Sequence, residues 1–314
     1  MQPYHWESHH GNFGDDLNLW LWDFLLPGFR DVHPDTVLVG VGTVLNPVLL
    51  PADRKKLVIG SGYGYGEAPN VTTPDWDVRC VRGPLTAAKL GLPPEKGITD
   101  PAVMIADMPE FKNLPKIHKK TFIPHWESAE FGMWPAVCEP VGLTYLDPRG
   151  EAKAVIRHIA QSEMIVAESM HGAILADAFR VPWIAVTTSR AINNFKWSDW
   201  ANSVSARYEP RYVPVSTRAE AVRKGARFWG LRFDKEGDKP VAAAPAQTHD
   251  GVMTRSAPSQ SGLRGMAKQA LAAPSILALW QASRTEPHLS PDGALETKKQ
   301  MFRDVIDGVR RDYL

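Results

Sequence analysis

Residues 164–186 constrain the fold more than any other stretch of this 314-residue chain. A short apolar run at 164–167 leads into a small-residue helical stretch at 170–179, and a second apolar run follows at 183–186. Strand, helix, strand in that rhythm implies parallel pairing through a right-handed crossover. The rhythm extends in both directions. Runs at 122–124 and 143–146 read as strands, and 152–160 as a helix. Upstream, 37–41, 57–59 and 78–81 read as buried strands, and 85–90 as a helix ended by Gly91. Leu, Trp and Phe recur at helical spacing across 15–26, which predicts one helix stopped by Pro27-Gly28. The fold class is α/β.

Hydrophobic residues make up 44% of the chain, enough for two medium cores, and the length favours two domains. The polar stretch 109–119 marks the boundary, giving one unit at 1–112 and another at 120–232. An internal echo points the same way. Pro3-Tyr4-His5-Trp6-Glu7-Ser8 resembles Pro124-His125-Trp126-Glu127-Ser128, each at the end of the first strand of its half. Two α/β units presenting those strand ends to a shared cleft would generate it. Ala, Pro, Ser and Gln dominate 233–262, which reads as a flexible linker or loop. C-terminal helices occupy 263–314, at 263–282 and 292–313. The first carries Arg264 and Lys268 beside Leu271, Ile276, Leu277, Leu279 and Trp280. It either packs back on the domains or lies on a membrane surface as a peripheral contact.

A formal net charge of +1 gives no electrostatic case for nucleic acid. The two cysteines, Cys80 and Cys138, form no C-x-x-C pair, so neither a disulfide framework nor a zinc knuckle is indicated. The N-terminus has no basic start and no apolar core, and no run is long enough to span a bilayer. The expected location is the cytoplasm, at the inner face of the membrane if the C-terminal helices touch it. Eleven tryptophans suit a sugar-binding cleft, although packing alone accounts for most such residues.

Five segments could carry chemistry. Gly11-Asn12-Phe13-Gly14-Asp15-Asp16 sits between a strand and a helix, where glycines let a ligand approach the backbone. Asp15 or Asp16 is expected to cap that helix, and Asn12 is left for ligand contact. Gly60-Ser61-Gly62-Tyr63-Gly64 lacks dinucleotide-site spacing and reads as a loop bordering the cleft. Arg82, at a strand end before Gly83-Pro84, could grip a carboxylate or phosphate, or form a structural salt bridge. In Ser169-Met170-His171-Gly172, the histidine falls at a strand–helix junction followed by glycine. That placement suits proton transfer beside an anion at a helix N-terminus. Lys196, within 193–200, could reach a phosphate. His9, His10, His125 and His171 match no metal-site spacing, so no metal is expected.

Taken together, these segments resemble the polysaccharide pyruvyltransferase family, in the branch acting on bacterial exopolysaccharides of the succinoglycan type. The resemblance rests on Asn12-Phe13-Gly14-Asp15, Val81-Arg82-Gly83-Pro84, Thr99-Asp100-Pro101-Ala102 and the Ser169–Ala176 block, and covers roughly residues 1–215. It implies two Rossmann-like domains facing a cleft, the GT-B-like arrangement. It also implies phosphoenolpyruvate as donor, a glycan acceptor that is commonly lipid-linked, and a cyclic pyruvate ketal as product with release of phosphate. By resemblance Arg82, His171 and Lys196 contact the donor. Many members carry Arg two positions before the histidine, where this chain has Ser169. The missing charge would come from elsewhere, for example Arg190. Histidine suits the acid that protonates the donor methylene, and Glu7, Asp15 or Glu127 could be the base. No cofactor is implied, since Arg, Lys and a helix N-terminus can stabilise leaving phosphate. The competing readings are a nucleotide-sugar glycosyltransferase of the same fold and a non-catalytic glycan-binding or assembly protein.

Overall fold

The apolar runs of the first half become strands in a computed structural model of the chain, which describes residues 1–235 and 270–314 apart from Ser8 and Ala191. Strand β1 (Gln2–Pro3) leads into two short helices, α1 (Phe13–Asp16) and α2 (Leu21–Leu25). Then come β2 (Thr36–Val39), β3 (Lys55–Ile59) and β4 (Trp76–Cys80), followed by α3 (Pro84–Lys89). The four strands pair in parallel in chain order, with Leu38 opposite Leu57 and Val39 opposite Val58. Strand β2 is buried along its whole length, as a parallel strand covered on both faces must be.

The single helix predicted over 15–26 is broken. A 3-10 turn at Leu17–Leu19 and a non-helical Trp20 (φ −143°) separate α1 from α2. Asn18 supplies the reason. Its side-chain amide bonds the backbone of Val41 in both directions at 2.9 Å, and its Oδ1 also accepts from Trp22 Nε1 at 3.1 Å. An asparagine pairing with a strand end serves the sheet better than it serves a continuous helix.

The second half follows the same rhythm: β5 (Thr121–Ile123), α4 (Trp126–Phe131), α5 (Trp134–Val141), β6 (Thr144–Tyr145), α6 (Ala152–Ala160), β7 (Ile165–Ala167), α7 (Met170–Ala178), β8 (Trp183–Thr187), α8 (Asn194–Ser203), β9 (Arg211–Tyr212) and α9 (Arg218–Lys224). Its five strands are parallel, in the order β6-β5-β7-β8-β9. A hairpin of Arg227–Phe228 and Leu231–Arg232 follows. The linker predicted at 233–262 and the start of the helix predicted at 263–282 fall largely outside the described residues. The described part of that helix, Ala273–Ala282, packs through Leu279 and Ala282 into a cluster with Trp134 and Val137 of α5. The final helix, Asp292–Tyr313, returns to the first half. Phe302, Ile306 and Val309 enter the cluster around Leu57 and Ile59, and Lys299 and Arg303 both pair with Asp107. Among the described residues, no helix is long and apolar enough to cross a membrane.

What holds the two sheets in register is buried and ionic. Arg82, just past β4, is fully buried and donates to Asp199 of α8 at 3.1 Å, to Thr43 Oγ1 at 2.7 Å and to the Tyr63 carbonyl at 2.9 Å. Helix α3 has no side-chain cap of its own. Asp199 provides one from 113 residues away, accepting from Thr86 N–H at 2.9 Å and Thr86 Oγ1 at 2.5 Å. Gly83 is required at the contact, since a Cβ there would stand 2.1 Å from the Asp199 carbonyl oxygen. Removing one partner leaves a buried charge uncompensated. Asp199→Ala is therefore expected to cost about 3–5 kcal/mol in equilibrium urea unfolding. The Asp199→Ala, Arg82→Met pair is expected to cost less than the sum of the two single changes.

Candidate active site

Sheet topology decides where a ligand can reach the second sheet. From β5 the chain moves to β6 on one side, then crosses to β7 on the other. Connections leaving neighbouring strands in opposite directions open a crevice at their carboxyl ends. His125 follows β5 there, and Glu168 and Ser169 follow β7. Glu168 is buried and ties these ends together. Its Oε1 accepts from Lys224 Nζ at 2.7 Å and Thr188 Oγ1 at 2.5 Å, and its Oε2 from His125 N–H at 2.9 Å. Burial alone would raise this carboxyl, but the Lys224 ammonium, His125 and the hydrogen bonds from Lys224 and Ser128 together outweigh it and hold Glu168 at about 2.

Helix α7 is buried on every face, so packing fixes its first turn. Ser169 is its N-cap, accepting from Gly172 N–H at 3.4 Å. His171 projects from that turn against α1 of the other half. A Cβ added to Gly14 would stand 2.0 Å from His171 Nδ1, and Phe13 meets the ring edge-on at a centroid distance of 6.4 Å. At the ring's far edge, Nε2 faces Asp100 Oδ2 at 3.8 Å. Burial, then the Lys196 and Arg82 cations, push His171 down to about 3, so the unliganded ring is neutral at pH 7. Burial pushes Asp100 the other way, up to about 6, against the pull of the Ala102 N–H and of Arg82.

Lys196 stands in the first turn of α8, whose cap Asn193 accepts the lysine's backbone N–H at 3.2 Å. Its ammonium lies 5.9 Å over the Tyr65 ring and, among the described residues, forms no salt bridge. Its charge acts on Asp15, His125 and His171 together. Burial raises Asp15 to about 6, with Lys196 opposing. The expectation that Asp15 or Asp16 caps α1 is corrected. Asn12 is the cap, accepting from Gly14 N–H at 3.4 Å, while its Nδ2 donates to Asp15 Oδ2 at 2.6 Å. Asp16 instead meets His5 Nε2 at 3.1 Å.

The structure thus brings Asn12, Asp15, Ser169, His171 and Lys196 near one another, through the Gly14–His171 contact, the Asn12–Asp15 bond and the charge of Lys196 acting on Asp15 and His171. Glu7 lies exposed, and so does Arg190. Glu127 is committed to Arg223 at 2.8 Å, with His125 Nδ1 3.7 Å away. Arg82 takes the structural ion pair with Asp199, and from that fixed position its charge still reaches His171 and Asp100. The loop 60–66 packs on the start of α8, with the Gly64 carbonyl accepting from Asn193 and Tyr63 meeting Phe195 edge-on at 5.6 Å. Among the described residues, no group of three His, Cys, Asp or Glu could hold a metal ion.

Three residues of the site escape a sequence reading. Asp100 enters the sequence reading only within the Thr99-Asp100-Pro101-Ala102 motif, with no role of its own; in the structure it is a helix cap, its Oδ1 accepting from Ala102 N–H at 3.0 Å. His125 carries a signal only through the repeated His-Trp-Glu-Ser. Asp199 carries none.

The arrangement offers a free ammonium, a helix N-terminus, a neutral imidazole and two carboxyls titrating near pH 6. That combination receives an anion and moves protons beside it.

Comparison with known proteins identifies the family. The sequence profile of the family described as polysaccharide pyruvyl transferase matches residues 11–190, which include Asn12, Asp15, Arg82, Asp100, Ser169 and His171. The chain is 65% identical over 315 residues to the succinoglycan biosynthesis protein ExoV of Rhizobium meliloti (strain 1021), covering 100% of both. No solved structure matches it. A majority of the chain lies within the profile and full-length identity is this high, so the chain belongs to the polysaccharide pyruvyl transferase family and is an enzyme of that kind.

Proposed function

We propose that this enzyme transfers the pyruvyl group of phosphoenolpyruvate to a sugar of a succinoglycan-type repeat unit, forming a cyclic ketal and releasing phosphate. The observation that carries the reading is the imidazole of His171, enclosed by Gly14 and Asp100, beside the uncommitted ammonium of Lys196. In this reading, residues 1–112 and 120–232 are the two Rossmann-like halves of a GT-B-like enzyme. Asn12 and Asp15 come from one and His171 and Lys196 from the other.

Two additions build the ketal. A first sugar hydroxyl adds at C2 of the donor while C3 takes up a proton. A second hydroxyl then displaces phosphate from C2, and its proton leaves with the phosphate. Lys196 and the α7 N-terminus hold the donor anion. His171 moves the proton. Burial and two nearby cations keep it neutral. A bound carboxylate and phosphate offset those cations and raise its pKa, so the donor itself charges the acid. Asp15, held near pH 6, stands on the same crevice to receive a hydroxyl proton.

Incubating the enzyme with phosphoenolpyruvate and a succinoglycan oligosaccharide is expected to release phosphate and add one pyruvate ketal, read by mass spectrometry. His171→Ala is expected to fold normally and add none. Full activity in that variant overturns the role given to His171. Lys196→Ala is expected to raise KM for the donor on the order of 10- to 100-fold, the size of one lost charged hydrogen bond. The same change should move the His171 titration upward by NMR, because it removes a cation that lowers it.

The acceptor in this reading is lipid-linked and the enzyme works against the inner membrane face. Support comes from one surface. Trp229 and Leu231 of the hairpin are 58% and 67% exposed, and Leu277 and Trp280 of the adjoining helix 57% and 42%. Exposed Arg227, Arg232 and Arg284 accompany them, a combination that suits an anionic bilayer. Sedimentation with phosphatidylglycerol vesicles is expected, and Trp229→Ser with Leu231→Ser should abolish it. Equal sedimentation by the variant overturns this surface.

A further inference from the structure

Among the described residues, only three buried side-chain polar atoms lack a hydrogen-bond partner, and two of them face each other. They are His171 Nε2 and Asp100 Oδ2, 3.8 Å apart. Buried polar atoms are nearly always satisfied, so two facing orphans have one joint explanation: they are the two ends of a hydrogen bond that tightens when the site fills. We propose that Asp100 is the positioning residue for His171. It accepts the Nε2–H and thereby assigns Nδ1 as the nitrogen that exchanges a proton with substrate.

The aspartate is built for that duty. Its Oδ1 accepts from Ala102 N–H at 3.0 Å and caps the 3-10 helix Pro101–Asp107, whose residues pack into the cluster that holds α7. With one oxygen fixed to the backbone, the other cannot rotate away. Pro101 is braced in turn, since a Cβ on Gly60 would lie 2.5 Å from its Cγ. The imidazole is held as firmly. Nδ1 lies over Gly14, beside the Asn12–Asp15 turn, while Nε2 points into protein. Nδ1 is thus the ring nitrogen on the side of Asn12 and Asp15.

The charged groups acting on the pair are Lys196 and Arg82 on His171, and Arg82, Asp199 and Asp15 on Asp100. Asp100 also supplies what an acid in this place needs. Once the ring is protonated, a carboxylate at Nε2 balances a positive charge that burial would otherwise expel. The inference rests on His171 as the proton-transfer residue and adds which nitrogen acts and what orients it.

Asp100→Asn keeps a cap oxygen and removes the acceptor at Nε2. The amide presents a donor there instead, which favours the opposite tautomer. In imidazole ¹⁵N NMR, the resting enzyme is expected to show Nε2–H with Nδ1 unprotonated, and Asp100→Asn the reverse. The variant's kcat is expected to fall on the order of 10²- to 10⁴-fold, as when the orienting aspartate of a catalytic histidine is amidated. KM for the donor should change little, and the melting midpoint at pH 7.5 should equal or exceed that of the parent, because an ionised, buried Asp100 opposes folding at that pH. A resting Nδ1–H tautomer overturns the proposal whether or not the variant folds. An inactive His171→Ala beside an undiminished Asp100→Asn overturns it alone, and an active His171→Ala overturns the function reading as well.

Discussion

The fully buried pair of Arg82 and Asp199 is the contact on which the rest of the structure depends. Two charges taken out of water are tolerable only when the remaining donors and acceptors are filled. Here Thr43, the Tyr63 carbonyl and Thr86 fill them. Because Arg82 follows β4 and Asp199 sits in α8, the pair fixes the loop 60–66 against the start of α8. That start presents Asn193 and Lys196. The same aspartate caps α3 in place of a local residue. One carboxylate thus serves as cap, counter-ion and tether between the sheets.

The electrostatics of the crevice follow from this frame. Arg82 cannot move, so its charge is a permanent part of the field that keeps His171 neutral and works against the burial that raises Asp100. Burial raises Asp15 and Asp100 and lowers His171 in the same place, and Lys196 is the cation there that an incoming anion would meet. In the proposed reading, specificity for an acidic donor and readiness to move a proton then have one physical origin.

Much of this is legible in the sequence where the cause is local. The apolar runs place β2, β3, β5, β7 and β8, and 3.6-residue spacing gives α6 and the final helix with the bounds observed. The strand–helix junction with a following glycine singles out His171. What is not legible has its cause elsewhere in the chain. Asn18 breaks a helix because it pairs with Val41, 23 residues later. Arg82 turns inward because Asp199 waits 117 residues away. Asp100 stays an unassigned member of its motif because its only local duty is capping, and its second oxygen has meaning only once α7 is packed beside it.

The same long-range pairing bears on how the chain acquires its shape. Translation delivers Arg82, Gly83 and the uncapped start of α3 well before Asp199 leaves the ribosome. Until then the guanidinium must stay hydrated, and the loops around it have no counter-charge to close on. The helix Asp292–Tyr313, which fills the apolar face around Leu57 and Ile59, emerges later still. The sheet β1–β4 is therefore synthesised well before the groups that complete it, and a nascent chain stalled before residue 199 lacks the partner that Arg82 needs.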